Sequence, residues 1–344
     1  MRVAIVNDMK MAVEALRRTL VSAPGIELAW IAENGVEAVK QCAKDVPDLI
    51  LMDIIMPEMN GVEATRQIMT DSPCAILIVT ASVSQNVSLV FQAMGAGALD
   101  AVSTPTLGGE GAKGGDELLQ KIRTIGRLLD ANNRTTNSRQ KEPTRAGTPD
   151  CWLVAIGSST GGPAALAKII SKFPAAFQAA VVIIQHVDES FAPGLAEWLG
   201  QQSALPVRLA VEGDRIVNGR ILIAGTNNHL FVKPDQTLGY KVEPAATPYR
   251  PSVDVFFESV LSNWSGRSIA ALLTGMGRDG AEGLLKLKSN GIFTIAQSAE
   301  TCAVYGMPKA AAELNAAVKI LPTDGIAEAI LSHLKESKEG KSLP

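Results

Sequence analysis

Residues 151–163 constrain this chain more than any other stretch. Residues 152–156 form an unbroken apolar run, the pattern of a buried strand. The small residues Gly157, Ser158, Ser159, Thr160, Gly161 and Gly162 follow, and Pro163 then opens an apolar helix over 164–170. A chain that turns this tightly from strand to helix holds a hydroxyl at the end of a sheet, beside the unpaired N–H groups of a helix N-terminus. Those N–H groups can stabilise a developing oxyanion, which suits an acyl-transfer nucleophile. Gly157-x-Ser159-x-Gly161 also fits the nucleophile-elbow pattern. A Gly/Ser-rich turn after a strand serves equally as a phosphate or dinucleotide cradle, so this stretch alone leaves both chemistries open.

The first third of the chain has a different rhythm. Apolar runs at 2–6, 27–32, 49–52, 75–79 and 98–102 alternate with amphipathic stretches at 10–22, 35–44, 61–70 and 86–94. This alternation predicts a parallel sheet with helices on both faces, whose ligands sit at the carboxyl ends of the strands. Asn7 and Asp8 end the first of these strands, Asp53 the third and Thr80 the fourth, and Thr104 and Pro105 follow the fifth. Two carboxylates converging at one edge suit a hard cation such as Mg²⁺ with oxygen ligands. They leave Asp53 ionised beside that cation, as a phosphoryl acceptor must be. Singly, acids at strand ends are turn formers or helix caps, and for Asp8 alone that is the better explanation.

A length of 344 residues predicts two domains or one large one, and 47% hydrophobic with 19% charged residues describes a globular chain with a sizeable core. The net charge of -3 argues for neither nucleic acid nor anionic membrane as a partner. Polar residues interrupt the N-terminus too early for a signal peptide, and no apolar run approaches the roughly 20 residues of a membrane helix, so a cytoplasmic protein without membrane insertion is expected. Cys42, Cys74, Cys151 and Cys302 lack paired spacing and read as reduced, mostly buried residues. The joint between the expected domains, 1–106 and 150–340, spans 107–149. It begins with the Gly-rich 107–115, continues in a helix at 116–130 and ends in the polar, slightly basic 131–149, which reads as a mobile linker. The basic residues of 131–149 have no aromatic neighbour to stack on bases, which weighs against a nucleic-acid site.

In the second half, the apolar run 180–184 ends in Gln185 and His186, and the run 268–273 is followed by a Gly-rich loop carrying Asp279. A strand-end imidazole can hydrogen-bond a hydroxyl on the adjacent strand end and activate it, and an acid can orient that imidazole. Alone, His186 is as well explained by backbone hydrogen bonds, and Asp279 as a helix N-cap. Three such residues at three strand ends favour a serine hydrolase. The order Ser159, His186, Asp279 departs from the α/β-hydrolase order and disfavours an ordinary esterase or lipase. His229 reads as a turn or cap residue and His333 as a surface residue of the C-terminal helix.

Both halves resemble known families. Asn7-Asp8, Asp53 with Pro57 and Asn60-Gly61, Thr80-Ala81 and Gly95-Ala96-Gly97 together resemble a two-component receiver domain over residues 1–106. That resemblance implies a flavodoxin-like, doubly wound parallel sheet. Asp53 would be the phosphoacceptor, Asp8, Asp53 and the Ile55 carbonyl the Mg²⁺ ligands, and Thr80 the switch hydroxyl. Receivers usually carry an acid where this chain has Asn7 and a lysine where it has Thr104, so one negative and one fixed positive charge are missing from the pocket. Gly157–Gly162, Gln185-His186, Arg250-Pro251-Ser252-Val253-Asp254, the Thr274–Gly280 loop, Ala296-Gln297 and Gly306-Met307-Pro308 resemble the chemotaxis-type protein-glutamate methylesterases, the CheB family.

A receiver followed by this domain is that family's layout, and Asn7, Thr104 and the opening residues look most like its Wsp-type, surface-sensing variant. The resemblance implies a Rossmann-like sheet with Ser159, His186 and Asp279 as a catalytic triad. The substrates would be glutamate γ-methyl esters of chemoreceptor-type signalling proteins, with glutamine deamidation in some members. A cognate histidine kinase would be the phosphodonor, and the esterase itself would need no cofactor. Thr160 and Met276 are positional candidates for oxyanion donors. Arg250 to Asp254 would line a substrate groove or, equally, form a turn and helix cap. Linked in this way, the receiver is expected to cover the Ser159 edge until Asp53 is phosphorylated. Two other readings stand beside this one. The first is a phosphorylation-dependent receptor-binding module with little turnover. The second is a nucleotide-dependent enzyme, disfavoured because Gly-x-Gly-x-x-Gly and a ribose-binding acid are missing.

Overall fold

The computed structural model describes residues 1–80, 87–105, 115–130, 151–245, 247 and 249–337. The chain divides into two compact units, Met1–Arg134 and Thr135–Pro344. Ala81, the two ends of the expected joint (106–114 and 131–150) and the residues past 337 lie outside the described residues.

The first unit alternates strand and helix throughout: β1 (Arg2–Val6), α1 (Lys10–Val21), β2 (Glu27–Ala32), α2 (Gly35–Lys44), β3 (Leu49–Met52), α3 (Gly61–Asp71), β4 (Ala75–Thr80), α4 (Val87–Ala96), β5 (Asp100–Ser103) and α5 (Gly115–Asp130). All strands are parallel, in the order β2-β1-β3-β4-β5. The central β3 is apolar at every position because helices cover both faces. α2 and α3 start where Asn34 and Asn60 accept the N–H groups of Glu37 and Glu63. The helix expected in the joint belongs to this unit instead. Leu118, Ile122 and Ile125 of α5 lie in one core with Leu16 and Leu20 of α1, because an i, i+4, i+7 apolar face must be buried somewhere.

The second unit contains β6 (Trp152–Ser158), α6 (Gly162–Ile170), β7 (Ala179–Gln185), α7 (Ala192–Gln202), β8 (Val207–Leu209), β9 (Ile221–Ile223), β10 (His229–Val232), β11 (Leu238–Lys241), α8 (Val253–Asn263), β12 (Arg267–Leu272), α9 (Ala281–Ser289), β13 (Phe293–Gln297), α10 (Met307–Glu313), β14 (Lys319–Leu321) and α11 (Thr323–Glu336). Its main sheet is parallel, in the order β14-β13-β12-β6-β7-β9-β8, with β10 and β11 as a separate antiparallel pair. β6 and β7 are buried along their whole length. In register, Ser158 stands beside Gln185, and Gly157 beside Leu272, so β12, β6 and β7 end nearly flush.

All four cysteines are free thiols; Cys42 is buried and the other three are partly so. Cys42 and Cys74 lie 4.0 Å apart, and burial pushes both thiols up. His333 is not the surface residue expected from its helix. Ile326, Ile330 and Leu334 form the buried stripe of α11, and His333 adjoins it. Its imidazole stacks on Phe293 at 4.2 Å and meets Trp152 edge-on at 5.7 Å. Its Nδ1 is buried without a partner among the described residues.

Burial holds the His333 imidazole below its usual range, with Lys319 adding to the effect against an opposing Glu336. The unfolded chain therefore takes up a proton near pH 6.5 that the folded chain refuses, and stability is lost as pH falls below that point. His333→Phe keeps a stacked ring and removes this loss. Any difference between the two proteins in urea unfolding is expected to be independent of pH at and above about 7.5. Toward pH 5.5 they should diverge in favour of the variant, by at most about 1.4 kcal/mol per pH unit.

Candidate functional site

Ser159, Thr160 and Gly161 make the whole bend between β6 and α6. Hydrogen bonds fix this bend from several sides. The Gly162 N–H donates to the Ser159 carbonyl at 2.7 Å, and the Ser159 N–H donates to the Thr274 carbonyl at 3.0 Å. The buried Gln185 accepts the Ser158 hydroxyl at 2.7 Å and donates its amide to the carbonyls of Ser159 (2.9 Å) and His186 (3.1 Å). One side chain thus ties together the backbones of two candidate residues on adjacent strands. Thr274 is a second tie: its hydroxyl donates to the Thr160 carbonyl at 3.0 Å, and its own N–H is held by Gln297 at 2.8 Å. Gly275 is required next to it, since a Cβ there would lie 2.7 Å from Ser159 Cβ. The Ser159 N–H is committed, whereas those of Thr160 and Met276 have no hydrogen-bond partner among the described residues.

His186 Nε2 lies 2.7 Å from Asp279 Oδ2, a bond that spans the end of β6. Asp279 also accepts the Ser252 hydroxyl (2.8 Å), the Val253 N–H (2.6 Å) and the Asp254 N–H (3.1 Å). Asp279 does not cap the helix that follows it, where Gly280 holds the N-cap position. It sits instead at the N-terminus of α8, whose unpaired N–H groups favour a carboxylate. Burial alone would push the Asp279 carboxyl up. The hydrogen bond and charge of His186, then Val253 N–H and the Ser252 hydroxyl, outweigh it and hold the group below the usual range. An ionised carboxylate only accepts, so Nε2 carries the proton and Nδ1 is left as the basic nitrogen. The hydroxyl–imidazole bond expected between Ser159 and His186 is not formed among the described residues, although their strands are adjacent. The ring's position is fixed by Asp279 and by Tyr249, which stacks on it at 4.9 Å.

Ser252 is the N-cap of α8, so the Arg250–Asp254 stretch contains a helix cap. The Ser252 N–H donates to Nδ1 of the buried His229 at 3.1 Å, which makes that histidine a support of the cap. Ser252 is legible in sequence as a serine ahead of an apolar helix, and Gln185 as a polar residue closing an apolar strand. Tyr249 carries no such signal.

At the carboxyl edge of the first sheet, Asp53 is buried and Asp8 exposed. Asp53 accepts the Asn7 side-chain amide at 3.0 Å and the Ile54 N–H at 2.7 Å. The Asn7 carbonyl oxygen is held by the Met9 N–H at 2.8 Å, so its NH₂ necessarily faces Asp53. Burial pushes the Asp53 carboxyl up to about 6, and the negative charge of Asp8 adds to this. The carboxylates of Asp8 and Asp53 are oxygen donors of the kind a hard cation takes, and the raised Asp53 group would gain from one. Thr80 is buried at the end of β4, and its carbonyl accepts the Thr104 N–H at 3.1 Å. The Thr104 hydroxyl, at the position where receivers usually place a lysine, is buried without a partner among the described residues.

The CheB methylesterase family profile matches residues 154–330, and the response regulator receiver domain profile matches residues 3–108. The chain is 55% identical over 328 residues to "Protein-glutamate methylesterase/protein-glutamine glutaminase 3" of Pseudomonas aeruginosa, covering 95% of this chain and 98% of that protein. It is 53% identical over 328 residues to "Protein-glutamate methylesterase/protein-glutamine glutaminase 1" of Bordetella avium, covering 95% of each. Among solved structures, the Thermotoga maritima CheB methylesterase catalytic domain matches with a TM-score of 0.51 and 35% identity, covering 55% of this chain and 100% of that one.

Ser252→Ala removes both the α8 cap and a donor to Asp279. Denaturant unfolding is expected to record a loss of about 1–3 kcal/mol, with Ser252→Thr recovering most of it. A variant as stable as the wild type would show that Asp279 is held without Ser252.

Proposed function

Because this chain belongs to the CheB methylesterase family and carries a receiver domain ahead of that region, we propose that it hydrolyses glutamate γ-methyl esters on chemoreceptor-type signalling proteins, releasing methanol, under control of phosphorylation at Asp53. The observation that carries this reading is the 2.7 Å His186–Asp279 bond across the strand end that presents Ser159. Ser159 Oγ attacks the ester carbonyl while His186 Nδ1 takes its proton. The C–O bond to the methoxy group breaks, His186 returns the proton, and methanol leaves. Water, deprotonated by the same nitrogen, then attacks the acyl-serine and frees glutamate. Glutamine would follow the same course with ammonia as leaving group, as the names of the relatives suggest. The uncommitted N–H groups of Thr160 and Met276 are the donors we assign to the oxyanion. Asp279 keeps the imidazole in its Nε2–H form and stabilises the imidazolium.

In the receiver we assign Asp53 as phosphoacceptor from a cognate histidine kinase, Thr80 as the switch hydroxyl, and Asp8, Asp53 and the Ile55 carbonyl as the cation-holding set. Mg²⁺ bound there would supply charge neutralisation for phosphoryl transfer. The Asn7 amide and the Thr104 hydroxyl, in place of acid and lysine, support placement in the Wsp-type branch. No described helix is long and apolar enough to cross a membrane. A substrate on receptors' cytoplasmic helices supports a cytoplasmic location.

Methanol release from methylated receptor fragments, with and without a small phosphodonor and Mg²⁺, tests both halves. Release is expected to rise with phosphodonor and to fall by more than about a thousandfold in Ser159→Ala. Turnover that survives in Ser159→Ala would remove the serine mechanism. Excising residues 1–147 is expected to raise the unphosphorylated rate, and no change would remove inhibition by the receiver.

A further inference from the structure

Tyr249 lies between β11 and α8, outside the motifs that carry the candidate triad. Its ring lies flat against the His186 imidazole, with centroids 4.9 Å apart and planes 8° from parallel. That separation and tilt describe an offset stack. Among the described residues, the imidazole edge is held by one bond, Nε2 to Asp279. One in-plane hydrogen bond leaves the tilt of a histidine ring soft, because χ2 is a broad torsion. A flat partner against the ring face removes that freedom. The other end of the tyrosine reaches the loop that bears Asp279. Gly277 has φ 82°, and a Cβ there would overlap the Tyr249 oxygen. The same side chain therefore touches both the imidazole and the loop of its orienting acid. Its hydroxyl makes no hydrogen bond among the described residues, so the contact is one of ring face and shape.

Resting on the reading of Ser159, His186 and Asp279 given above, we propose that Tyr249 is a positioning residue, which fixes the tilt of His186 so that Nδ1 is presented to Ser159. Its face lies against the ring that takes the proton from Ser159 in this reading. The tyrosine acts through His186 and not on the ester, so its removal should lower kcat and leave KM nearly unchanged.

The test measures kcat and KM for methanol release by the full-length chain with phosphodonor and Mg²⁺, comparing wild type, Tyr249→Phe, Tyr249→Leu and Ser159→Ala. Tyr249→Phe keeps the face and is expected to stay within about twofold of wild type, whereas Tyr249→Leu should lose roughly tenfold in kcat with KM within about twofold. Where Tyr249→Leu fails to unfold cooperatively, Tyr249→Met fills the same space without a ring and is read by the same criteria. A ringless variant with wild-type kcat overturns the proposal. So does Tyr249→Phe falling as far as Tyr249→Leu, or a change confined to KM. The two readings fail separately. Turnover that survives in Ser159→Ala sinks the site itself, while intact dependence on Ser159 with an active ringless variant sinks only the role of Tyr249.

Discussion

The second unit depends on one buried carboxylate. Asp279 is 4% exposed, a position in which an ion without partners would be untenable. It is sustained by donors from three directions: an imidazole from the end of β7, a hydroxyl, and two N–H groups at the first turn of α8. The neighbouring Asp254 illustrates the alternative. With one N–H from Gly283 as its close support, burial pushes its carboxyl up to about 6, and the charge of Asp279 adds to the rise. Two acids side by side are thus driven apart, one held below the usual carboxylate range and the other raised above it. Helix α8, the β12 loop and the strand carrying His186 meet because that anion needs all of them.

The two units use one geometric rule with different chemistry. In each sheet the chain builds outward from a central strand and then crosses to its other side, which opens a crevice at the carboxyl edge. In the first unit the crevice lies between β1 and β3, where Asn7 and Asp53 meet. In the second it lies where β6 is flanked by β7 and β12, and His186 and Asp279 meet across the strand end that leads to Ser159. Acids and an amide gather at one edge, and a hydroxyl with an imidazole at the other.

Much of this was legible in sequence because strand ends announce themselves. An apolar run that stops at Asp53, at Ser159 or at Gln185-His186 places the polar residue at the edge of a sheet, whatever the tertiary detail. What sequence could not supply was cross-chain geometry. Tyr249 sits in an irregular segment with no periodicity to mark the face it presents. His333 falls in a polar-looking helix, and its burial depends on Phe293 and Trp152, both distant in sequence. Taken alone, Asp279 reads as a cap of its own helix; it lies instead against His186 and the start of α8, a placement that local sequence does not mark. The expected Ser159–His186 bond failed for a related reason: strand adjacency sets the distance between backbones, while Asp279 and Tyr249 decide where the ring lies.

The flush ends of β6 and β12 carry a consequence for how the unit comes to exist. Trp152 pairs with Arg267, so the central strand must wait for a partner that follows a large part of the chain. Pairings of such separation are slow to form, because loop closure precedes any gain from contact. β6 and β7 can associate early, bringing the serine and the histidine together while the chain is still being made. Asp279 arrives much later, on the loop that follows β12. The His186–Asp279 pair is thereby tied to completion of the fold, and a truncated or half-folded chain carries Ser159 and His186 without the anion that holds the imidazole.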